Sequence, residues 1–434
     1  SGIDPKKMKG RIKGDFKNMI IQQRQVSKLT FDLDYFAGDV KGLVNGSGNF
    51  GSVQLTPTIL NLFGENPSYT VFINTNKLDL SKILLNDEMA SNLTMNGNVK
   101  GQGFNPGTMN ATFNGNFSNA RMYDFSVDKL GVALNYRRGD VNGTVIGSGD
   151  FGKISIKPNV RRLLSNNPSY LANVTTENLN LARLLSNDSL PSNLNLTFDV
   201  VGRGFDPKTM NAQVKLEALP SSFRGENIEQ LLTDINYGNN NIDVNSLLLN
   251  TESITLSAEG NYSLVANSEL NLNLDIANAS ELSKILNVDS LEAKGSLQAR
   301  VFGRMDSLQA IVDFRLDSTR FQSYTASTLS GKIDGLVTPN DTLINAGIFA
   351  GNVFAAGFAL DTVKLQAVSD IRSTDLTLEA DGEEVKANLS GNVNLREELL
   401  VRLDDLMLDY KGSDWELIEP PATVRIGKNE YEIG

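Results

Sequence analysis

The sequence predicts an all-β fold, a long repetitive antiparallel sheet with short helical turns, and three observations predict it. Apolar and polar residues alternate with a period of two over many separate stretches, as in Leu270, Leu272, Leu274 and Ile276 set against Asn271, Asn273 and Asp275. Gly, Asn and Asp turn signals punctuate these stretches every ten or so residues. A third observation is self-similarity at a fixed spacing, which in a 434-residue chain points to repeat architecture.

The spacing is 101 residues. Gly46-Ser47-Gly48-Asn49-Phe50-Gly51 recurs as Gly147-Ser148-Gly149-Asp150-Phe151-Gly152, and Asn66-Pro67-Ser68-Tyr69 as Asn167-Pro168-Ser169-Tyr170, so that 147 − 46 = 167 − 66 = 101. Leu80 to Asp87 returns as Leu181 to Asp188, and Gly103 to Ala111 as Gly204 to Ala212. A weaker third copy starts near Gly260-Asn261-Tyr262, carries Leu282-Ser283-Lys284-Ile285-Leu286-Asn287 and runs to Ala310. The expected organisation is the end of a preceding repeat over 1–45, repeats over 46–146 and 147–250, a divergent repeat over 251–350, and a partial copy over 351–434 that continues beyond the chain.

Taken in chain order, the first clear strand is Phe31-Asp32-Leu33-Asp34-Tyr35. Helical turns are predicted at Pro57 to Gly64 and Pro158 to Leu164, where Pro suits a first helical position, and at Asp79 to Leu85 and Asn180 to Leu185, which carry apolar residues at i, i+4. All are too short to stand as a helical layer. Strands resume at Leu194, Leu196, Phe198 and Val200, at 270–276, at Leu376, Leu378 and Ala380, and at Val385, Ala387 and Leu389. The implied count is about 35 to 40 strands, spaced by ~4.8 Å.

Composition narrows the function. Forty Lys+Arg against fifty-one Asp+Glu give 40 − 51 = −11, which offers no global field for a nucleic acid. The chain has no His and no Cys, so the commonest general bases, thiol nucleophiles, zinc ligands and disulfides are missing. The expectation is a protein that is not an enzyme and takes no cofactor or metal. Its first residues, Ser1-Gly2-Ile3-Asp4, have neither a starting Met nor an apolar signal core, and no run approaches the length of a membrane-spanning helix, so the chain reads as a fragment or processed piece.

Several motifs have bland explanations. Gly46 to Gly51 and Gly147 to Gly152 match G-x-G-x-x-G, but alternating residues follow where a nucleotide fold needs a helix, so a turn is expected. Ser126-Val127-Asp128-Lys129 matches S-x-x-K without the S-D-N or K-T-G partners. Glu383-Glu384, Glu397-Glu398 and Asp404-Asp405 point to opposite faces of a strand and read as solvated charge. Lys6-Lys7-Met8-Lys9-Gly10-Arg11-Ile12-Lys13 reads as a guarded strand edge rather than a lipid-headgroup contact. Trp415, the single Trp, reads as a core or groove-rim anchor.

The Leu-Ser-Lys-Ile-Leu turn, the alternating strands, the Gly-Phe-Asp-Pro-Lys-Thr-Met-Asn-Ala element at 204–212 and Trp415-Glu416-Leu417-Ile418-Glu419-Pro420-Pro421-Ala422 together resemble the TamB family, the translocation and assembly module proteins of the AsmA-like group, in a Bacteroidetes-like form. The resemblance covers nearly the whole chain through structural motifs. It implies a periplasmic sheet curled into a taco-like apolar groove that carries phospholipids between the inner and outer membranes of a two-membrane bacterium and supports outer-membrane protein assembly. It further implies an inner-membrane anchor and a segment meeting an Omp85-type outer-membrane barrel, both absent from this chain, and no catalytic residues.

The residues support one part of this independently, because a sheet with one apolar face must cover it with another layer or with a ligand. The candidate lining is Leu194, Leu196, Phe198, Val200, Leu270, Leu272, Leu274 and Ile276, with phospholipid acyl chains as the partner. In a closed sandwich the same residues would form the core. The alternative function is a secreted adhesin or structural β-repeat protein without lipid chemistry.

Overall fold

The computed structural model describes residues 7–122, 125–280, 291–355, 357–395, 399–426 and 431–433. The chain divides into two compact units, residues 1–225 and 226–434. The first contains β1 (Lys9–Ile21), β2 (Arg24–Phe36), β3 (Asp39–Gly48), β4 (Gly51–Leu60), β5 (Ser68–Leu78), α1 (Leu80–Leu84), β6 (Ser91–Gln102), β7 (Asn110–Met122), β8 (Phe125–Arg137), β9 (Asp140–Gly149), β10 (Gly152–Arg161), β11 (Ser169–Glu177), α2 (Leu181–Leu184), β12 (Ser192–Asn193), β13 (Leu196–Arg203), β14 (Asn211–Ala218) and β15 (Ser221–Phe223). The second contains β16 (Glu226–Gly238), β17 (Asn241–Thr251), β18 (Ile254–Ser263), β19 (Ser268–Ile276), β20 (Leu291–Arg304), β21 (Ser307–Phe321), β22 (Tyr324–Val337), β23 (Thr342–Ala355), β24 (Phe358–Ser369), β25 (Ser373–Asp381), β26 (Val385–Leu395), β27 (Leu399–Tyr410), β28 (Ser413–Glu416), β29 (Ala422–Ile426) and β30 (Tyr431–Ile433).

Each unit is antiparallel sheet, and nearly every strand pairs with its neighbour in sequence through a hairpin or short connection. Around α2 the order changes locally, β11 pairing with β13 and β12 with β15. No pairing among the described residues closes either sheet into a barrel. Among the described residues thirty strands are formed, against the 35 to 40 expected of the chain, and strands such as the 15-residue β21 run longer than the spacing of turn signals implied.

The 101-residue repeat is a repeat of strands. β1 at 9–21 shifts onto β7 at 110–122, β2 at 24–36 onto β8 at 125–137, and β3 and β4 onto β9 and β10. Hydrogen bonds repeat with it. The Asp79 N–H donates to the Phe50 carbonyl at 2.9 Å and the Asn180 N–H to that of Phe151 at 2.8 Å. Leu80 N–H donates to Ser91 Oγ at 2.8 Å and Leu181 N–H to Ser192 Oγ at 2.7 Å. In the third copy, Gly260 to Tyr262 lie in β18, whereas Leu282 to Asn287 lie outside the described residues.

Of the four helical turns expected, two form. α1 starts at Asp79, whose carboxylate accepts from the Ser81 N–H at 2.9 Å and the Ser91 N–H at 3.2 Å, and α2 starts at Asn180, which accepts from the Arg183 N–H. Pro57 and Pro158 instead lie inside β4 and β10. Their missing N–H groups fall where the ladders to β3 and β9 are interrupted: pairing lapses between Val44–Leu55 and Lys41–Thr58 and between Val145–Ile156 and Asn142–Asn159, and resumes in the same register.

The G-x-G-x-x-G segments close the β3–β4 and β9–β10 hairpins. A Cβ on Gly48 would approach the Phe50 ring to 2.7 Å and one on Gly149 the Phe151 ring to 3.0 Å, so these glycines leave room for two buried rings. The carboxylate pairs are solvent-facing: Glu384 bridges to Lys411 and Asp404 to Arg402, while Glu397 and Glu398 lie outside the described residues. The basic stretch enters β1, where Arg11 binds Asp32 through two guanidinium nitrogens at 2.6 Å each. Trp415 is 63% exposed, so it is not a core residue.

Candidate functional site

Register turns the alternation of single strands into rows that cross each sheet. In the first unit Phe31 faces Val44, Val44 faces Leu55, and Leu55 faces Ile73. The row continues through Gly97, Gly115, Val132, Val145, Ile156 and Val174 to Phe198 and Leu216. Every member is apolar or glycine. One residue along each strand, the opposite face carries Thr30, Asn45, Gln54, Asn74, Asn96 and Asn116 in register. There Gln54 donates to Asn45 at 2.9 Å, the start of an amide ladder that Asn74 extends at 3.5 Å.

The second unit is more regular. Leu231, Leu249, Leu256, Leu274, Leu297 and Phe314 stand in one row, which continues through Gly331, Ile348, Leu365, Leu378 and Leu389 to Leu406. Leu272 belongs to the adjacent row on the same face, with Leu247, Ala258, Ala299, Val312 and Ile333. Ile276 lies in a third, which runs through Gly295, Leu316, Leu329 and Ala350 and ends on Leu408 and Trp415. Leu270 faces Gly260 and Val301. The opposite face carries cross-strand charge pairs, among them Arg300 with Glu269 at 2.7 Å and Lys364 with Glu379 at 2.9 Å.

The apolar rows are half-buried rather than buried. Phe31, Val44, Leu55, Ile73, Phe198 and Leu216 are all partly exposed, as is every member of the Leu231-to-Leu406 row, whereas Val174 in the first row is buried. A closed sandwich core would bury such residues fully. Of the eight residues chosen from sequence, Leu196, Phe198, Val200, Leu270, Leu272, Leu274 and Ile276 share this half-buried state on the sheet faces. Leu194 differs: it pairs with Leu179 in an isolated bridge beside α2 and is 7% exposed.

In the first unit most of the large buried side chains gather along one margin of the sheet. Val26, Phe50, Leu93, Val127, Phe151, Leu179 and Leu194 all lie next to the connections that include α1 and α2. The other margin, formed by the turns after β4, β6, β10 and β13, exposes Phe63, Phe104, Leu164 and Phe205. Sequence reasoning placed the short helices over the sheet but missed the buried Phe50 and Phe151, although both recur inside the repeated hairpin motif. It also missed the first unit's row from Phe31 to Leu216, since period two gives a strand its faces but not its register.

Among the described residues, no group of three or more Asp or Glu side chains is placed to hold a metal ion, and no helix is long and apolar enough to cross a membrane. Asp32, between Arg11 and Lys13, has its carboxyl pulled down to about 2 by the hydrogen bonds from Arg11, against the cost of desolvation. Tyr170 is shifted upward by burial of its ring. The arrangement offers an apolar surface on one face of each sheet and ordered polar groups on the other. No protein-family model matches the chain, and no curated protein matches it.

Proposed function

We propose that the chain is a segment of a periplasmic bridge that conducts phospholipids between the inner and outer membranes and so supports outer-membrane protein assembly. The observation that carries this reading is the apolar row that crosses each unit from strand to strand, half-buried throughout the second unit and over most of the first, while the opposite face carries mainly polar and charged residues. An acyl chain moving across such rows exchanges one apolar contact for the next. Each CH₂ withdrawn into water costs roughly 0.8 kcal/mol, so displacement along the face is close to neutral and escape is not. Curling of the sheet into a taco-like groove would shelter the chains, and no covalent step is required. In this reading an inner-membrane anchor and a contact with an Omp85-type barrel are supplied by segments outside the chain, as the resemblance to the TamB family implies.

The test is to place a photo-crosslinking amino acid at Leu272 in the full chain, purify it from a bacterial host, and examine it by native mass spectrometry with lipid extraction. Co-purified phospholipid joined at that position is the expected result. A lipid-free chain with no crosslink overturns the proposal and favours a structural β-repeat or adhesin. Leu274→Asp together with Leu365→Asp should abolish lipid retention while β-sheet circular dichroism persists; loss of the sheet signal would assign these residues to a core instead.

A further inference from the structure

Resting on the lipid reading, we infer that the first unit holds its amphiphile in one orientation, with an anionic phosphate headgroup at the margin bearing Tyr136 and Tyr170 and the acyl chains directed toward α1 and α2. The margins of this sheet differ. The α1 and α2 margin holds a small apolar core, with Phe50, Phe151, Leu93 and Leu194 9%, 4%, 6% and 7% exposed, and its exposed Lys82 is paired with Asp87 at 3.8 Å. The other margin is built differently.

Its last apolar row contains four tyrosines, Tyr35, Tyr69, Tyr136 and Tyr170, separated only by Val, Ile, Gly and Ala partners. They are two repeats of one pair, since 35 + 101 = 136 and 69 + 101 = 170. Tyr69 stacks on Phe104 with centroids 5.4 Å apart, and Tyr170 on Phe205 at 5.3 Å. Both tyrosine rings lie over glycine: a Cβ on Gly101 would come within 2.4 Å of the Tyr69 hydroxyl, and one on Gly202 within 2.5 Å of the Tyr170 ring. Rings held flat with a polar tip at the edge of an apolar surface are the chemistry of a lipid–water interface.

Charge supplies a second, independent observation. The turns beyond this row carry Arg138, Arg162 and Lys208, all exposed, in a chain whose net charge is −11. These turns are contiguous: Leu163 N–H donates to the Gly139 carbonyl at 2.7 Å and Gly204 N–H to that of Pro168 at 2.8 Å. Asp140 and Asp206 in the same turns accept from the backbone N–H groups of Arg162 and Lys208 and so help to set the turn geometry. Guanidinium groups in the turns that border a tyrosine-bearing row match a phosphate diester.

Two phospholipid probes on the full chain test this, one with a diazirine in the headgroup and one with it near the end of an acyl chain. The headgroup probe is expected to label peptides covering 135–140, 161–170 and 203–210, and the acyl probe those around Val174 and Phe198. Headgroup labelling at 79–95 or 178–195, or equally on both margins, overturns the orientation while leaving the lipid reading intact. Failure of both probes to label overturns both. Arg138→Glu with Arg162→Glu should reduce headgroup labelling from phosphatidylglycerol vesicles by about tenfold or more; undiminished labelling in the folded variant sinks the phosphate assignment.

Discussion

Residues 1–225 bury large side chains such as Phe50, Phe151, Leu93 and Leu179 along one margin, whereas residues 226–434, apart from Ile228, bury mainly alanines and serines: Ala279, Ala293, Ala350, Ser253, Ser263 and Ser268. The first unit interrupts its sheet with α1 and α2 and with ladder breaks at Pro57 and Pro158. The second runs strands of 12 to 15 residues from β20 to β24, and in β24 exposure alternates almost residue by residue. The difference shows two ways of stabilising a sheet that leaves its apolar face accessible. One anchors a margin with a small core; the other relies on ladder hydrogen bonds and on cross-strand aliphatic pairs, each contributing a fraction of a kcal/mol.

Replacing a margin ring breaks the comparison most sharply. Phe151→Ala should destabilise the first unit by about 3 to 5 kcal/mol, read from urea unfolding, with hydrogen-exchange protection lost in β9 to β11 and kept in β24 to β26. Uniform loss across both units would show that the margin core is not local to the first. Gly152→Ala follows at about 1 to 3 kcal/mol, because Gly152 has φ +101° and its Cβ would meet the Asn178 carbonyl oxygen at 2.3 Å. Gly139→Ala, at φ +90° with open space around it, is the control and should cost less.

In the second unit, Leu365→Ala should cost only about 1 kcal/mol, since a half-buried side chain loses only part of its transfer free energy and leaves no sealed cavity. A loss as large as that of Phe151→Ala would reveal a closed core there. The smallest effect concerns Asp32. Its folded pKa of about 2 lies below the ordinary value of 3.8, so its contribution is fully present above about 4 and is lost as the pH falls through about 2. Carboxyl NMR should find that midpoint and see it move up toward the ordinary range in Arg11→Gln, with little change in stability at neutral pH because the pair is exposed.

Period two in 194–200 and 270–276 made the strands and their apolar face legible, and the 101-residue offset located equivalent turns. Pro57 and Pro158 misled because a proline at a first helical turn and one at a ladder break look alike until the partner strand is known. Leu194 misled because an alternating run extends its pattern past the end of a strand. It sits before β13, where the bridge to Leu179 and the packing of α2 take over. What joins Phe31 to Leu216 is hairpin register, which turn chemistry determines and composition does not.

The strand-level repeat has a consequence for size. One period carries β3 to β9, six strands on, and at ~4.8 Å per strand this advances the first unit's rows by about 29 Å. Because Tyr35 returns as Tyr136 and Phe50 as Phe151 in the same register, duplicating one period lengthens such a sheet without altering its cross-section. Length can therefore change in discrete genetic steps: copying a module extends the sheet, and the rows that each face presents stay the same.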